Sequence, residues 1–168
     1  MSIFRLNHAV LWVRNAEVSA AFYKDVLGFQ DIAGYQGIPG AVFLRAEGST
    51  NDHDLGLFSV GDHVPSPAHR TVVGLYHLSW EVDTLADLAR LGAALQQRGA
   101  LVGATDHGTT RSLYAKDPDG IEVELTWIVP AALKTPADAP TSQALDLQAA
   151  IDRFGAETLG GVGVSRLS

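Results

Sequence analysis

The chain contains no cysteine among its 168 residues, so disulfide bonds and thiolate metal ligands are both excluded. Any metal ion would have to be held by nitrogen and oxygen donors. Positive charge is also scarce, since 12 Lys and Arg face 19 Asp and Glu and give a formal net charge of -7. Because binding to a phosphate backbone requires clustered Lys and Arg, we expect no nucleic-acid partner.

Long apolar runs are lacking as well, and no stretch approaches the length needed to span a membrane. The first residues have neither the charged start nor the apolar core of a signal peptide, so we expect a cytoplasmic protein with no membrane partner. Hydrophobic residues make up 46% and charged residues 18% of the chain, which is ordinary for a globular protein. This length allows one domain with its own hydrophobic core.

The order of predicted elements repeats once along the chain. An apolar strand at 6–13 precedes a helix at 16–27, which has Val18, Phe22 and Val26 on one face and ends at Gly28. Three short strands are predicted for 29–35, 41–46 and 53–60, between clusters of Gly, Ser, Asn and Asp.

The second copy begins with a strand at 76–82. Thr84 can cap a helix with leucines on one face, and Gly99 ends it. Strands are then predicted for 101–105, 112–116 and 121–129. This repeated β-α-β-β-β pattern predicts an α+β fold within a domain of residues 1–130. Its two modules span about 4–60 and 72–129.

The remaining segments are interpreted as connections and an extension. Residues 60–71, which include Pro65 and Pro67, form the predicted linker between the modules. Residues 131–168 form a predicted C-terminal helical extension, with an Ala- and Pro-rich linker first. A short helix from about 141 to 154 would bury Leu147, Ile151 and Phe154, and the Gly-rich end is expected to be loose.

Histidines and carboxylates on the predicted strands are the residues that could carry chemistry. Because alternate strand residues share a face, His77 lies with Ser79, and Glu124 lies with Glu122. A single strand histidine is most often an ordinary hydrogen-bonded residue. However, His8, His77 and Glu124 could converge if the modules pack symmetrically. They would then form the two-histidine, one-carboxylate set of non-heme Fe(II) oxygenases, which leaves coordination positions open.

Several segments together resemble one known family: LNHAVLWV, YKDVLGF, HDLGLF, GLYHLSWEV and DPDGIEVEL. They are similar to the vicinal oxygen chelate superfamily, which includes glyoxalases, bleomycin resistance proteins and extradiol dioxygenases. Residues 105–124 resemble the signature of the ring-cleaving extradiol enzymes of the catechol 2,3-dioxygenase type. The similarity covers about residues 5–130. It implies that the two modules pack with pseudo-twofold symmetry into a cupped mixed sheet around a metal site.

The resemblance implies a role for six residues. The metal ligands would be His8, His77 and Glu124, and the ion Fe(II), with Mn(II) or another divalent metal as the alternative. The residues acting on protons and substrate would be His53, as acid–base group, and His107 and Tyr114, near the substrate hydroxyls. The ordinary alternatives are an exposed strand-start residue for His53, a turn residue for His107 and a core residue for Tyr114.

The implied function is extradiol cleavage of a small aromatic diol, with dioxygen as co-substrate. In glyoxalase I-like members a fourth ligand comes from the last strand of the first module, where this chain has Gly56, with Asp54 close by. A three-ligand site favours oxygen activation over isomerisation. Trp12, Phe22 and Trp127 are candidates for lining an apolar pocket.

Two other functions stay open at this point. One is a glyoxalase-like, metal-dependent isomerase or lyase, and the other is a metal-free, antibiotic-binding resistance protein. The predicted sheet edges and terminal helix offer contact surfaces, so we expect a homodimer.

Overall fold

The computed structural model describes residues 6–32, 38–62 and 73–161. Its contacts divide the chain into two compact units. Unit 1 comprises Met1–Gly74 and the turn Asp117–Ile121, and unit 2 comprises Leu75–Lys116 and Glu122–Ser168. Each unit contains one β-α-β-β-β module, so the predicted repeat and the α+β class are confirmed.

Unit 1 is built on a four-stranded sheet with strand order β1-β4-β3-β2. Its elements are β1 (Ala9–Val13), α1 (Ala16–Leu27), β2 (Gln30–Asp31), β3 (Ala41–Arg45) and β4 (Leu55–Ser59). Strand β1 runs parallel to β4, and the other neighbours are antiparallel. Helix α1 contacts β3 and β4, and the sheet buries Leu11, Leu44, Leu55 and Leu57.

Helix α1 has the predicted bounds because both of its ends are capped. The Asn15 side chain accepts from the first free backbone N–H groups, and Gly28 takes the left-handed conformation with φ 78°. The predicted face was wrong at Val18, which is 55% exposed. Val18 lies about 40° around the helix from Phe22, just outside the edge of the buried stripe. That stripe consists of Ala16, Ser19, Ala20, Phe22, Tyr23 and Val26.

All four strands of unit 1 are shorter than predicted. Strand β1 begins at Ala9, whose N–H donates to the Asp54 carbonyl, so His8 lies immediately before the strand. The strand predicted for 29–35 is reduced to Gln30–Asp31, and its residues 33–35 lie outside the described ranges. Residues 63–71 of the predicted linker also lie outside them.

Unit 2 repeats this order and adds one strand. Its elements are β5 (His77–Glu81), α2 (Leu85–Gln97), β6 (Leu101–Asp106), β7 (Thr110–Lys116), β8 (Glu122–Ile128), β9 (Gln143–Ala144) and α3 (Leu147–Phe154). The sheet order is β5-β8-β7-β6-β9, with β5 parallel to β8. Thr84 caps α2 as predicted, and the helix buries the predicted leucines Leu85, Leu88, Leu91 and Leu95.

The C-terminal extension has more structure than the sequence indicated. Two 3-10 turns, Ala131–Leu133 and Pro136–Asp138, replace the plain linker, and β9 pairs with β6. The final helix begins at Leu147, later than predicted, because the residues before it pair with the sheet and Asp146 caps it. Phe154 is buried as expected, whereas Leu147 and Ile151 are half-buried.

The chain end after α3 continues along unit 2. The Gly160 N–H donates to the Asp83 carbonyl, and the Gly161 N–H donates to the Ile128 carbonyl. Residues 162–168 lie outside the described ranges. Among the described helices, none combines the length and apolar character needed to cross a membrane.

Candidate functional site

A histidine and a carboxylate meet on the sheet of unit 2. Strands β5 and β8 are parallel neighbours, with Ser79 opposite Glu124 in the register. His77 lies on the same face as Ser79, two residues earlier. Its Nε2 is 3.2 Å from Oε2 of Glu124. The strand pairing therefore brings together two of the three ligands that the sequence predicted.

Glu124 is held in its ionised form although its side chain is buried. Burial raises the pKa of this carboxyl, but hydrogen bonds from Ser112, Ser79 and Tyr114 outweigh it, and the charge of His77 acts in the same direction. The net effect lowers the pKa of Glu124 below its ordinary value. An ionised carboxylate with an adjacent imidazole is the donor type that divalent metals bind.

The His77 ring has an unused nitrogen. Its Nδ1 is buried and has no hydrogen-bond partner within the described ranges. Oε1 of Glu122 lies 3.9 Å away, beyond hydrogen-bond range. Neighbouring ligands of an octahedral ion at about 2.1 Å lie about 3.0 Å apart. The separation between His77 and Glu124 therefore fits two adjacent ligands of one ion.

A hydrogen-bonded chain leads from Glu124 to His107. The Tyr114 hydroxyl donates to Oε1 of Glu124 at 2.9 Å, and Nε2 of His107 lies 2.8 Å from the same hydroxyl. Burial, followed by the hydrogen bond and charge of Glu124, raises the pKa of Tyr114 well above its ordinary value. The phenol therefore stays protonated. Its single proton can be donated to Glu124 or to an unprotonated Nε2 of His107.

In unit 1, His8 and His53 lie side by side, with their ring centroids 4.4 Å apart. Nδ1 of His8 is 2.8 Å from Oδ1 of Asn7. Because an amide oxygen only accepts, Nδ1 carries the proton and the lone pair of Nε2 is available to a metal. Asn51 supports this arrangement by donating to the Asn7 carbonyl at 2.8 Å and to the Asp54 carboxylate at 2.7 Å.

The possible fourth ligand in unit 1 is excluded by its surroundings. The buried Asp54 carboxylate accepts from the Ala46 N–H, the Ser49 hydroxyl and Asn51, so it closes the β3–β4 connection. A Cβ added to Gly56 would lie only 3.3 Å from the Phe43 ring. To admit a side chain at position 56, that ring would have to shift by a few tenths of an ångström.

One face of the unit 1 sheet carries a row of aromatic rings. Trp12 contacts Phe58 with ring centroids 5.6 Å apart, Phe58 contacts Phe43 at 5.6 Å, and Phe43 contacts His53 at 5.1 Å. Trp12 is 71% exposed. Of the three predicted lining residues, only Trp12 belongs to this row. The other two, Phe22 and Trp127, are buried core residues.

The Asp-Pro-Asp-Gly part of the sequence signature has a structural role. Oδ1 of Asp117 accepts from the N–H groups of Asp119 and Ile121, which closes the turn. Asp119 forms an ion pair of 2.6 Å with Arg14, within unit 1. Burial is the largest influence on Asp117 and raises its pKa to about 6.

Several residues of this site were missed by the sequence analysis. Ser112 could have been found, because strand alternation puts it on the face of Tyr114. Asn7 and Asn51 depend on a contact between distant segments and left no local signal. Within ranges 6–32, 38–62 and 73–161, no three His, Asp or Glu side chains already form a metal-binding group. The full three-residue ligand set therefore stays a prediction.

The chain belongs to the Glyoxalase/Bleomycin resistance protein/Dioxygenase superfamily, whose family model matches residues 5–125. This confirms the predicted family. Solved structures agree on the fold. A glyoxylase/bleomycin resistance protein/dioxygenase domain from Frankia sp. EAN1pec superposes with a TM-score of 0.59 at 23% identity, covering 74% of this chain and 92% of that one. A glyoxalase/dioxygenase from Nostoc punctiforme gives 0.56 at 23% identity, covering 73% and 89%.

Among curated relatives, biphenyl-2,3-diol 1,2-dioxygenase 3 of Rhodococcus globerulus is 35% identical over 72% of this chain and 62% of its own length. Catechol-2,3-dioxygenase of Bacillus subtilis is 29% identical over 71% of this chain and 40% of its own length. The chain therefore spans less than two thirds of either dioxygenase. A lactoylglutathione lyase of Neisseria meningitidis serogroup A is 28% identical over 71% of this chain and 88% of its own length.

Proposed function

We propose that the chain is a metal-dependent dioxygenase of the extradiol type that cleaves a catechol-like aromatic ring with dioxygen. Its Fe(II) ion, or alternatively Mn(II), would be held by His8, His77 and Glu124. The observation on which this rests is the His77–Glu124 pair, whose carboxylate is continuous with the Tyr114–His107 chain. This arrangement combines metal donors with groups that can move a proton.

Each residue would have a distinct task. When bound, Fe(II) supplies a Lewis acid that lowers the pKa of a coordinated hydroxyl and a redox-active centre for dioxygen. The Tyr114 hydroxyl and Nε2 of His107 would orient the substrate hydroxyls, and Nε2 would take up a proton from them. His53, whose ring lies against that of His8, would act as the acid–base group on the unit 1 side.

Two features of unit 1 support oxygen chemistry on an aromatic substrate. Position 56 is a glycine packed close to the Phe43 ring, so unit 1 offers no carboxylate there. A three-ligand set leaves positions for substrate and dioxygen. The row of Trp12, Phe58 and Phe43 offers ring faces and edges to a flat apolar ligand. Relatives named for catechol and biphenyl-diol substrates agree with this choice.

A glyoxalase-like lyase is the second candidate. It is favoured by the lactoylglutathione lyase relative, which this chain matches over 88% of that protein's length. The two functions differ in their requirements, because a lyase of this type consumes no dioxygen. The metal-free antibiotic-binding alternative predicts no metal-dependent turnover.

The deciding experiment is anaerobic reconstitution with Fe(II), followed by a panel of catechols. We expect stoichiometric iron, a yellow ring-opened product and dioxygen uptake equimolar with substrate, because both oxygen atoms enter the product. Turnover of a hemithioacetal with Ni(II) or Zn(II), without dioxygen uptake, would support the lyase. Binding of an antibiotic without metal would support the resistance protein.

A pair of variants tests the ligand assignment. Glu124→Gln should abolish stoichiometric metal binding and catechol turnover, because the amide is neutral. Glu122→Gln is the matched control, since this carboxylate lies on the same face of the same strand. It should retain the metal. Loss of metal from the control but not from Glu124→Gln would reverse the assignment. The homodimer also stays a prediction, to be checked by analytical ultracentrifugation.

A further inference from the structure

Residues 136–154, which we call the C-terminal strap, lie beyond the family match at 5–125 and contact the turn that carries His107. We propose that this strap positions His107, and that Asp138 and Arg153 are the positioning residues that hold the strap in place. The catalytic consequence rests on the proposed function of His107. The structural consequence, one fixed tautomer of the His107 ring, does not.

The first observation is a pair of hydrogen bonds between His107 and Thr141. The Thr141 N–H donates to the His107 carbonyl at 3.1 Å, and Nδ1 of His107 is 3.3 Å from the Thr141 carbonyl oxygen. Because a carbonyl only accepts, Nδ1 must carry the proton. Nε2 then has no proton and can only accept from the Tyr114 hydroxyl, 2.8 Å away. The strap thus determines which nitrogen is directed to the reacting side of the ring.

The second observation is a close approach of backbones at Gly108, the residue after His107. Gly108 has φ +76°, and a Cβ there would lie 2.0 Å from the Ala139 carbonyl oxygen. No side chain can occupy that space while the strap is in place. The His107 turn is therefore packed directly against the strap.

The third observation is the clamp on Asp138, a buried carboxylate within the strap. Arg153 binds it through both terminal nitrogens, at 2.8 and 2.6 Å. The hydrogen bond from Arg153 is the largest influence on this carboxyl and lowers its pKa well below the ordinary range. The Thr135 N–H and hydroxyl each donate to it at 2.9 Å. A bidentate pair of this kind fixes orientation as well as distance.

Arg111 joins the clamp to the His107 turn. Its Nη2 is 3.5 Å from the Asp138 carboxylate. Its Nη1 donates to the Gly108 carbonyl at 2.8 Å and lies 2.8 Å from the Asp106 carboxylate. The strand pairing of β9 with β6 is only two residues long, so it gives the strap little support of its own. The strap is therefore attached by the charged cluster and by Phe154, whose ring centroid lies 5.3 Å from that of Trp127.

The test uses the full chain without metal, labelled with nitrogen-15, in long-range proton–nitrogen spectra of the histidine rings. The variant is Arg153→Met, which removes the bidentate clamp. The matched control is Gln148→Ala, an exposed position on the same helix whose side chain donates to Asp152. Wild type and control should show His107 as a single species with the proton on Nδ1. Arg153→Met should give averaged tautomers and at least tenfold faster exchange of the Thr141 amide.

Asp138→Asn serves as the second variant in case Arg153→Met does not fold, because the amide keeps the shape but loses the charge. The proposal is overturned if the Thr141 amide loses protection while His107 keeps its single tautomer. It is also overturned if neither signal changes in a folded variant. These spectra need no substrate, so a chain that fails to cleave catechols can still confirm the strap.

For the active protein, kinetics separate positioning from stability. Arg153→Met should lower kcat about tenfold while KM changes little, because a displaced catalytic group is lost mainly in the chemical step. Arg153→Lys should recover only part of this loss, since lysine keeps the charge but not the bidentate geometry. Equal kinetic constants in Arg153→Met and wild type would contradict a role for the strap in catalysis.

Discussion

The two modules have the same topology, but they place different chemistry at equivalent positions. In unit 1, Gly56 lies between Val10 and Phe43 in the register. In unit 2, Glu124 lies between Ser79 and Tyr114. Val10 and Ser79 each lie two residues after a histidine, His8 or His77. The strand register therefore makes Gly56 the counterpart of Glu124, and Phe43 the counterpart of Tyr114.

This difference shows how a duplicated fold can specialise. The backbone supplies the same locations in both units, and the side chains decide which unit carries the polar chemistry. Unit 2 has the carboxylate and the hydroxyl, whereas unit 1 has glycine and phenylalanine at those places and retains only its histidines. The groups that orient the two histidines differ too. Asn7 binds Nδ1 of His8, whereas Nδ1 of His77 has no such partner among the described residues.

The largest expected effect concerns His53. It tests whether unit 1 contributes an acid–base group in addition to the proposed metal ligand His8. His53→Phe keeps a ring against His8 but removes the acid–base group. We expect turnover to fall about 100- to 10,000-fold with the metal content unchanged, as for loss of a general acid or base. Steady-state kinetics and metal analysis check this. Full turnover in this variant would leave the acid–base chemistry to unit 2.

The next effect concerns the asparagine support of His8. Asn51→Ala removes the donor to the Asn7 carbonyl and to Asp54, so His8 loses its fixed orientation. We expect metal affinity to fall about 10- to 100-fold, the usual effect of removing a group that orients a ligand. Titration with a competing chelator measures this. The control, Asn15→Ala, removes a helix cap in the same unit and should leave metal affinity unaltered.

A smaller effect is expected when Tyr114 of unit 2 is replaced by phenylalanine, the residue type of its counterpart Phe43 in unit 1. Tyr114→Phe removes a hydrogen bond that lowers the pKa of Glu124, so that pKa should rise. Because the metal binds the ionised carboxylate, the midpoint of metal binding should move to higher pH. We also expect kcat to fall about tenfold. An unchanged binding midpoint would show that Tyr114 does not support the carboxylate.

The smallest effect concerns stability at the turn Asp117–Ile121. The pKa of Asp117 is about 6 in the folded chain, above its unfolded value of about 4. Folded protein binds more protons between these values, so this group's contribution to stability is lost as pH rises from 4 to 6. Asp117→Asn should remove that dependence and be about 1–3 kcal/mol more stable than wild type at pH 7. Denaturant melts at pH 4 and 7 compare the two proteins, and equal pH dependence would contradict the raised pKa.

Local patterns predicted most of the elements but not all of their ends or exposed faces. Helix α1 was predicted with its correct bounds because its apolar spacing and the capping Gly28 are local signals. Val18 was placed on the wrong face, since an apolar residue adjacent to a buried stripe has the same hydrophobicity as one inside it. Strand β9 was missed, because two residues carry no periodic signal and form a strand only where β6 is available to pair.

By itself the sequence determined the repeated module, the family and the identity of the candidate donors, because each depends on residue types at short spacing. Only the tertiary structure decided that Asp54 closes a loop, that Gly56 is the counterpart of Glu124, and that the strap bonds to His107. These facts depend on contacts between segments far apart in the chain. Such contacts arise from strand register and from packing between distant segments, which leave no signal in the local sequence.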